Sequence, residues 1–454
     1  MRRVVLTAWV LVSGCFYAPA VDDCAVACTD ACPSGLRCVE GLCRKNEQVV
    51  CECQAGTTRP CGSNVGKCKE GLQSCGRGTW GACVGEVLGS AEVCDGLDND
   101  CDGLVDQGPP VVLFEGATGE WRFLSLDGGY ALVTTEANDA GEEHTVVRRF
   151  DADFTPREVT IARSAPAGLF DATSNGTAVF LAWALDGGLD LASVTGGRLT
   201  SFDGVEDAGV ARFMRLGVGE QLIAHWDRAG IATTSLGRWS LEGRQVDITE
   251  TRTLIDAGFE LLDAWYPRVS SGGHYAVLTS TPPADAGLDE NLRAVIDTRT
   301  LEVKRLDAPY YQYDVNSTKQ LELPTGELVG FYQYSFASSS WSGVYVNPDM
   351  LDLLTGDELT VEEVKSSATA WGPGDAVVDG EGRVSLVYMD TVERRFVVAR
   401  TVGRGVSMVI SKQPLPRAEG FGVPRLGYAG VDEFLGLAWK EPSKVAARRV
   451  CPVK

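Results

Sequence analysis

The sequence predicts a mainly β protein: a large β-propeller-like domain of about seven blades, preceded by a small disulfide-rich module. Three observations carry this reading. Cysteines crowd one end, with 13 of the 15 lying between Cys24 and Cys101 and none between 111 and 450. Beyond that end, short runs rich in Val, Leu, Phe, Tyr and Trp alternate with Gly/Asp/Asn turns, a strand pattern. The unit of turn plus apolar run recurs every roughly 40 to 55 residues, the spacing of four-stranded propeller blades.

The repeats can be read directly. Asp127-Gly128-Gly129 precedes Tyr130-Ala131-Leu132-Val133, and Ser174-Asn175-Gly176 precedes the run from Ala178 to Trp183. Gly217-Val218-Gly219, Ser271-Gly272-Gly273 and Pro324-Thr325-Gly326 stand before the runs at 221–226, 275–278 and 328–332. Gly380-Glu381-Gly382 and Gly430-Val431-Asp432 introduce 384–388 and 434–439. The last unit, 423–450, is one strand short, and Val111-Val112-Leu113-Phe114 can supply that strand and close the ring. The best helical pattern, Leu359 to Ser366, is short. Packed β-sandwiches are the alternative architecture.

Gly108-Pro109-Pro110 interrupts regular structure between the two parts, because proline fixes the backbone. The chain therefore divides into an address segment 1–14, a tether 15–23, a Cys-rich segment 24–54, a second disulfide-rich module 55–108 and the large domain 111–454.

Met1-Arg2-Arg3 is basic, Val4 to Val12 is uncharged and mostly apolar, and Leu11-Val12-Ser13-Gly14-Cys15 follows. This is the layout of a secretory signal, and its apolar run falls short of the ~20 residues that span a bilayer. The ending Val12-Ser13-Gly14-Cys15 resembles a bacterial lipobox, which implies cleavage before Cys15, a lipid on its sulfur and attachment to a membrane. Phe16 stands where such lipoproteins retained at the inner membrane often carry Asp. The expected location is the outer membrane or cell surface of a Gram-negative bacterium. A formal net charge of −21 leaves no electrostatic footprint for nucleic acid.

Export agrees with the cysteine density, because disulfides persist in oxidising compartments and staple segments too small to bury a core. Zinc is the competing use. No CxxC pair exists, Cys51-Glu52-Cys53 has the wrong spacing, and no histidine lies in this region. Connectivity is not readable from sequence, with two expectations. Cys94 and Cys101 flank an acidic loop and are expected to bridge its ends. With Cys15 lipidated, an odd number of cysteines remains from Cys24 to Cys101, so Cys451 is expected to pair with one of them, in the range Cys24 to Cys53.

The acidic loop carries the sharpest chemical signal. Asp98, Asp100, Asp102, Gly103 and Asp106 read D-x-D-x-D-G-x-x-D. Alternating carboxylates on a loop that curls at a glycine can surround a hard cation, with the Leu104 carbonyl as a further ligand. Position twelve of an EF-hand would fall on Pro109 rather than on a bidentate Glu, so only the first nine positions match. The stretch Glu92 to Gly108, with its E-x-C-D-G-x-D-N-D-C-D-G-x-x-D core, resembles the metal-binding motif of MopE-type bacterial surface proteins. Cys61 to Cys83, ending Gly78-Thr79-Trp80-Gly81-Ala82-Cys83, is similar to what flanks that motif. The resemblance covers about 50 of 454 residues and implies metal binding. Oxygen ligands favour calcium, at Asp98, Asp100, Asp102, Leu104 and Asp106.

The chain has three histidines, His144, His225 and His274, and carries no nucleophile elbow, HExxH helix, P-loop or dinucleotide fingerprint. No catalytic residue is assigned. The expected function is an exported, membrane-anchored, non-enzymatic binding or adhesion protein that depends on calcium and takes a protein or glycan ligand. The alternative is a membrane-tethered propeller hydrolase acting on glycans or peptides.

Overall fold

A computed structural model describes residues 21–452 except for several segments, the longest being 252–263, 282–291, 308–318, 360–370, 401–408 and 412–423. Cys15 and the rest of the signal lie outside the described residues, as does most of the helical pattern from Leu359 to Ser366. Among the described residues there is no α-helix and hence none that could cross a membrane.

The chain divides into two compact units at Asp106/Gln107. The break precedes Gly108-Pro109-Pro110 because Gln107 already bridges to Val450 and the Gly108 N–H donates to the Arg449 carbonyl.

The second unit is a seven-bladed β-propeller. Each blade is a four-stranded antiparallel sheet. The first strands of blades 1 to 4 are Trp121–Leu126, Phe170–Ser174, Met214–Val218 and Ala264–Val269. Those of blades 5 to 7 are Gln320–Glu322, Trp371–Val378 and Arg425–Tyr428. These first strands meet their counterparts in the neighbouring blades around the ring, including Arg425–Tyr428 against Trp121–Leu126. Blades 4 and 5 are joined by the Ser271 N–H donating to the Gln320 carbonyl.

The apolar runs that mark the repeat form the second strand of each blade. Val179–Ala184 is buried along its whole length, and Leu222–Asp227 and Leu435–Glu441 nearly so. A blade is covered on both faces by its neighbours, so its middle strands are apolar on both sides. The cores accordingly lie between blades. Phe180 and Leu191 of blade 2 pack with Trp226 and Trp239 of blade 3, and Leu132 of blade 1 packs with Ala438 and Val445 of blade 7.

Blade 7 closes the ring. Its first three strands come from the C-terminal end and its fourth is Val111–Glu115, antiparallel to Lys444–Val450 with Val112 opposite Ala446. The missing strand is the one expected. Blade 5 departs from the simple repeat, because a hairpin of Phe336–Ser338 and Trp341–Gly343 is inserted between its second and third strands.

The first unit has little regular structure: a hairpin of Arg37–Val39 with Leu42–Arg44, and a small sheet of Thr58–Cys61, Gly71–Gly76 and Thr79–Trp80. Six disulfides are described between its own cysteines: Cys24–Cys51, Cys28–Cys38, Cys32–Cys43, Cys53–Cys75, Cys61–Cys83 and Cys68–Cys101. Two expectations are corrected here. Cys101 is bonded to Cys68 and not to Cys94, so the acidic loop is tied across to a neighbouring turn and its ends are not clipped together. Cys451 is disulfide-bonded as expected, but the seven cysteines from Cys24 to Cys53 all have other partners, so the expected range for its partner is overturned. Cys94 and Cys451 are each disulfide-bonded.

Candidate metal centre

The acidic segment is positioned by its backbone. Cys68–Cys101 anchors it, the Lys67 N–H donates to the Asp98 carbonyl at 2.9 Å, and the Ser90 N–H donates to the Asn99 carbonyl at 2.8 Å. Gly66 passes so close that a Cβ there would stand 2.3 Å from the Asp98 carbonyl oxygen. Any side chain at 66 would push the loop away. Gly103 sits at φ +90°, which glycine adopts freely. Cys101 and Asp106 hold φ of 67° and 57°, left-handed conformations that cost a non-glycine residue on the order of 1 kcal/mol each. The loop is thus held in a shape its local sequence does not favour.

Carboxylates then organise the interior. Asp98 accepts the Cys101 N–H at 2.6 Å on Oδ1 and the Gly103 N–H at 3.0 Å on Oδ2. Glu92 Oε1 accepts the N–H groups of Asn99 and Asp100 at 2.5 and 2.8 Å. One oxygen from each of Glu92, Asp98 and Asp100 lies within 4.8 Å of the others. Glu92 is 7% exposed, yet its Oε2 is buried with no hydrogen-bond partner. Loss of water raises the carboxyl pKa values of both Glu92 and Asp100 above the ordinary range. An orphaned carboxylate oxygen beside two more acids is a costly arrangement unless a cation or proton compensates. The nearby ammonium of Lys67 is spent on Asp95 at 2.7 Å and Asn99 Oδ1 at 2.6 Å.

Of the residues expected as ligands, the structure brings Asp98 and Asp100 together. Asp102 is exposed and accepts the Leu104 N–H at 2.8 Å. Asp106 turns back to cap the N–H groups of Asp95 and Gly96. Glu92 was not among the expected ligands. It stands six residues before Asp98, outside the alternating pattern, and its one signal was its place at the head of the E-x-C-D-G motif. The sulfurs of Cys28, Cys32 and Cys43 also cluster, but all three are oxidised in disulfides and offer no thiolate.

On the propeller, a shallow cleft opens between the turns of blades 6 and 7, beside Asp379, Arg383, Arg400, Tyr428 and Asp432. Its charges are largely paired within the fold: Asp379 with Arg383 and Arg400, and Asp432 with Arg449. His225 is fully buried, with Nδ1 on the Arg268 carbonyl and Nε2 on the Thr234 hydroxyl. Burial lowers its pKa to about 4, so the ring is neutral and shut away from any substrate.

No family model matches the chain, and no curated protein matches it. Solved structures with a similar fold include the β-propeller domain of a trilobed protease from Pyrococcus furiosus, at 11% identity and a TM-score of 0.45, covering 74% of this chain and 95% of that one. A polysaccharide lyase gives 7% identity and a TM-score of 0.48 over 76% of this chain and all of the other. Prolyl oligopeptidase B from Galerina marginata gives 10% identity and 0.46 over 73% of this chain and 49% of its own. At these levels the likeness extends to no activity, and the propeller assignment stands on the ring of seven sheets.

Proposed function

We propose that this chain is an exported, lipid-anchored binding protein of the bacterial cell surface, in which a calcium ion orders the Cys-rich unit and the propeller carries the ligand. The observation that carries the calcium reading is Glu92 Oε2, buried and unpartnered beside Asp98 and Asp100. Glu92, Asp98 and Asp100 would hold the ion, and the donor set is all oxygen, which suits a hard cation. Calcium would supply positive charge where three carboxylates converge and would fix the loop that Cys68–Cys101 anchors. The reading of Cys15 as the lipid anchor rests on the lipobox-like sequence alone.

Calorimetry with the disulfides intact tests the site. Affinity is expected near 10⁻⁴–10⁻³ M, on the order of extracellular calcium modules. Glu92→Gln and Asp100→Ala should each weaken it about tenfold or more. No heat at millimolar calcium would end the proposal. Cys15→Ser should abolish acyl labelling and release the protein from the membrane fraction; continued labelling would place the anchor elsewhere.

A further inference from the structure

The propeller's inner strands carry charges that the acidic composition of the chain hides. Arg122 lies on the first strand of blade 1, Asp171 on that of blade 2, Arg215 on blade 3, Asp375 on blade 6 and Arg425 on blade 7; Lys319 immediately precedes the first strand of blade 5. They converge: the first strands meet around the ring, Arg122 pairs with Asp171 and Lys319 with Asp375, and Arg425 lies within electrostatic range of Asp375, Arg122, Arg215 and Asp171, so that five blades contribute. In a chain of net charge −21, four cations among the described residues here face the exposed Glu120, paired with Arg122, and two buried carboxylates, Asp171 and Asp375.

Those two buried carboxylates are committed to holding the ring together. Asp171 accepts Arg122 Nε at 2.7 Å on Oδ1 and the Leu216 N–H of blade 3 at 2.9 Å on Oδ2. Asp375 repeats the arrangement with Lys319 Nζ at 2.6 Å and the Leu426 N–H of blade 7 at 3.0 Å. Each therefore ties the blade before it to the blade after it with both oxygens. Arg215 and Arg425 gain no comparable ion pair among the described residues. Arg215 donates to the Met214 carbonyl at 2.7 Å, a neutral partner. Arg425 lies 5.9 Å from the centre of the Trp121 ring, and its Nε is buried with no hydrogen-bond partner. Burial lowers its pKa even with two carboxylates in range, so the loss of water outweighs the compensation the fold provides.

We propose that the axial face formed by the inner strands binds a small carboxylate-bearing molecule, with Arg425 and Arg215 as its direct partners. A planar guanidinium matches a carboxylate in shape and charge, and such bonds strengthen where water is excluded. The neighbouring Arg122 and Asp171 side chains are 17% and 7% exposed, so a ligand group must reach into surroundings that water barely enters, which favours a small one. This deepens the reading of the propeller as the ligand-carrying part and is independent of the cation site.

Calorimetry of the full chain with succinate tests it, in calcium-free buffer and at constant ionic strength set with sodium chloride. Saturable binding is expected, absent with succinamide, the neutral analogue of the same shape. Arg425→Gln and Arg215→Gln should each weaken it about tenfold or more, the scale of a hydrogen bond to a charged group. Should Arg425→Gln fail to fold, Arg215→Gln decides, because Arg215 bonds the carbonyl of its own sequence neighbour Met214, a contact that ties no two strands together. No saturable heat, equal binding of succinamide, or binding unchanged in Arg215→Gln would overturn the proposal. Each of those outcomes leaves the calcium titration of the Cys-rich unit untouched, so the two readings fail separately.

Discussion

The two units reach a fixed structure by opposite routes. Among the described residues up to 106, every buried hydrophobic residue is a cysteine: Cys24, Cys43, Cys53, Cys68 and Cys75. The larger apolar side chains there face water, with Leu72 55%, Val84 72% and Leu88 74% exposed. In the propeller the reverse holds. Trp226, Trp239, Leu181, Leu222 and many like them are buried, and the strands contain no cysteine. One unit limits its unfolded state by cross-links, and the other gains by removing apolar surface from water. The cross-linked route leaves the interior free for polar work. It can present backbone and carboxylates at its centre, where a propeller blade must present Val, Leu and Trp.

Reduction breaks the comparison open most widely. The six loops span 10 to 33 residues, and each disulfide is worth about 3–4 kcal/mol in the chain-entropy model. Thiol reductant should therefore unfold 21–106 completely while the propeller keeps its β-sheet circular dichroism. Limited proteolysis with mass spectrometry should map cleavage to residues before 107. In the oxidised protein, alkylation should modify neither Cys94 nor Cys451, since both are in disulfides. Simultaneous collapse of the propeller would show that the two routes are not separable.

Trp226→Ala attacks the other route. Trp226 is 1% exposed between blades 2 and 3, and its indole N–H donates to the Ala208 carbonyl at 3.1 Å. The loss should be about 3–5 kcal/mol in chemical denaturation, with the cysteine-rich unit unaffected. Among the described residues of the first unit, no apolar side chain larger than cysteine is buried, so none can give a comparable effect.

A third test uses acid. His225 titrates near 6.5 when unfolded and at about 4 in the fold. Its folded pKa is depressed, so the unfolded chain binds the proton more tightly. Stability is therefore full above about pH 6.5 and falls as the pH drops toward 4, by roughly 3 kcal/mol for this group. His225→Gln should flatten that part of the profile for the propeller, measured by denaturant midpoints at pH 7 and pH 4.5. An unchanged slope would mean that folding does not lower the pKa of His225.

The same contrast explains what the sequence made legible. The second strand of every blade was visible because burial on both faces leaves an uninterrupted apolar run, as in Val179–Ala184. Val111–Glu115 was visible because a repeat one strand short needs a donor. The outer strand Arg198–Ser201 is exposed at every position and carries no such signal, and the hairpin at 336–343 is an insertion that no period announces. In the cysteine-rich unit the order is covalent and three-dimensional. Residues 94 and 101 are neighbours in sequence, but Cys101 meets Cys68, which lies 33 residues away. Glu92 escaped for the same reason, since its role depends on the loop folding back over it and not on its spacing.

Calcium gives the smallest and most selective effect. An ion that binds only the folded state stabilises it by mass action, and at 10 mM with a dissociation constant of 10⁻⁴–10⁻³ M this is about 1–3 kcal/mol. That is less than one disulfide, so calcium should not rescue the reduced unit. In the oxidised unit it should act on the segment it touches. Amide exchange should slow from Glu92 to Asp106, where Asn99, Asp100, Cys101 and Gly103 donate their N–H groups to the clustered carboxylates. The hairpin at 37–44 lies outside that cluster and should exchange as before. Glu92→Gln keeps the shape but removes the charge on the orphaned oxygen, so it should shift the calcium-dependent slowing to about tenfold higher calcium or more and leave the disulfides intact. Slowing with an unchanged calcium midpoint in Glu92→Gln would move the ion away from this cluster, toward Asp102 and Asp106 at the loop's outer edge.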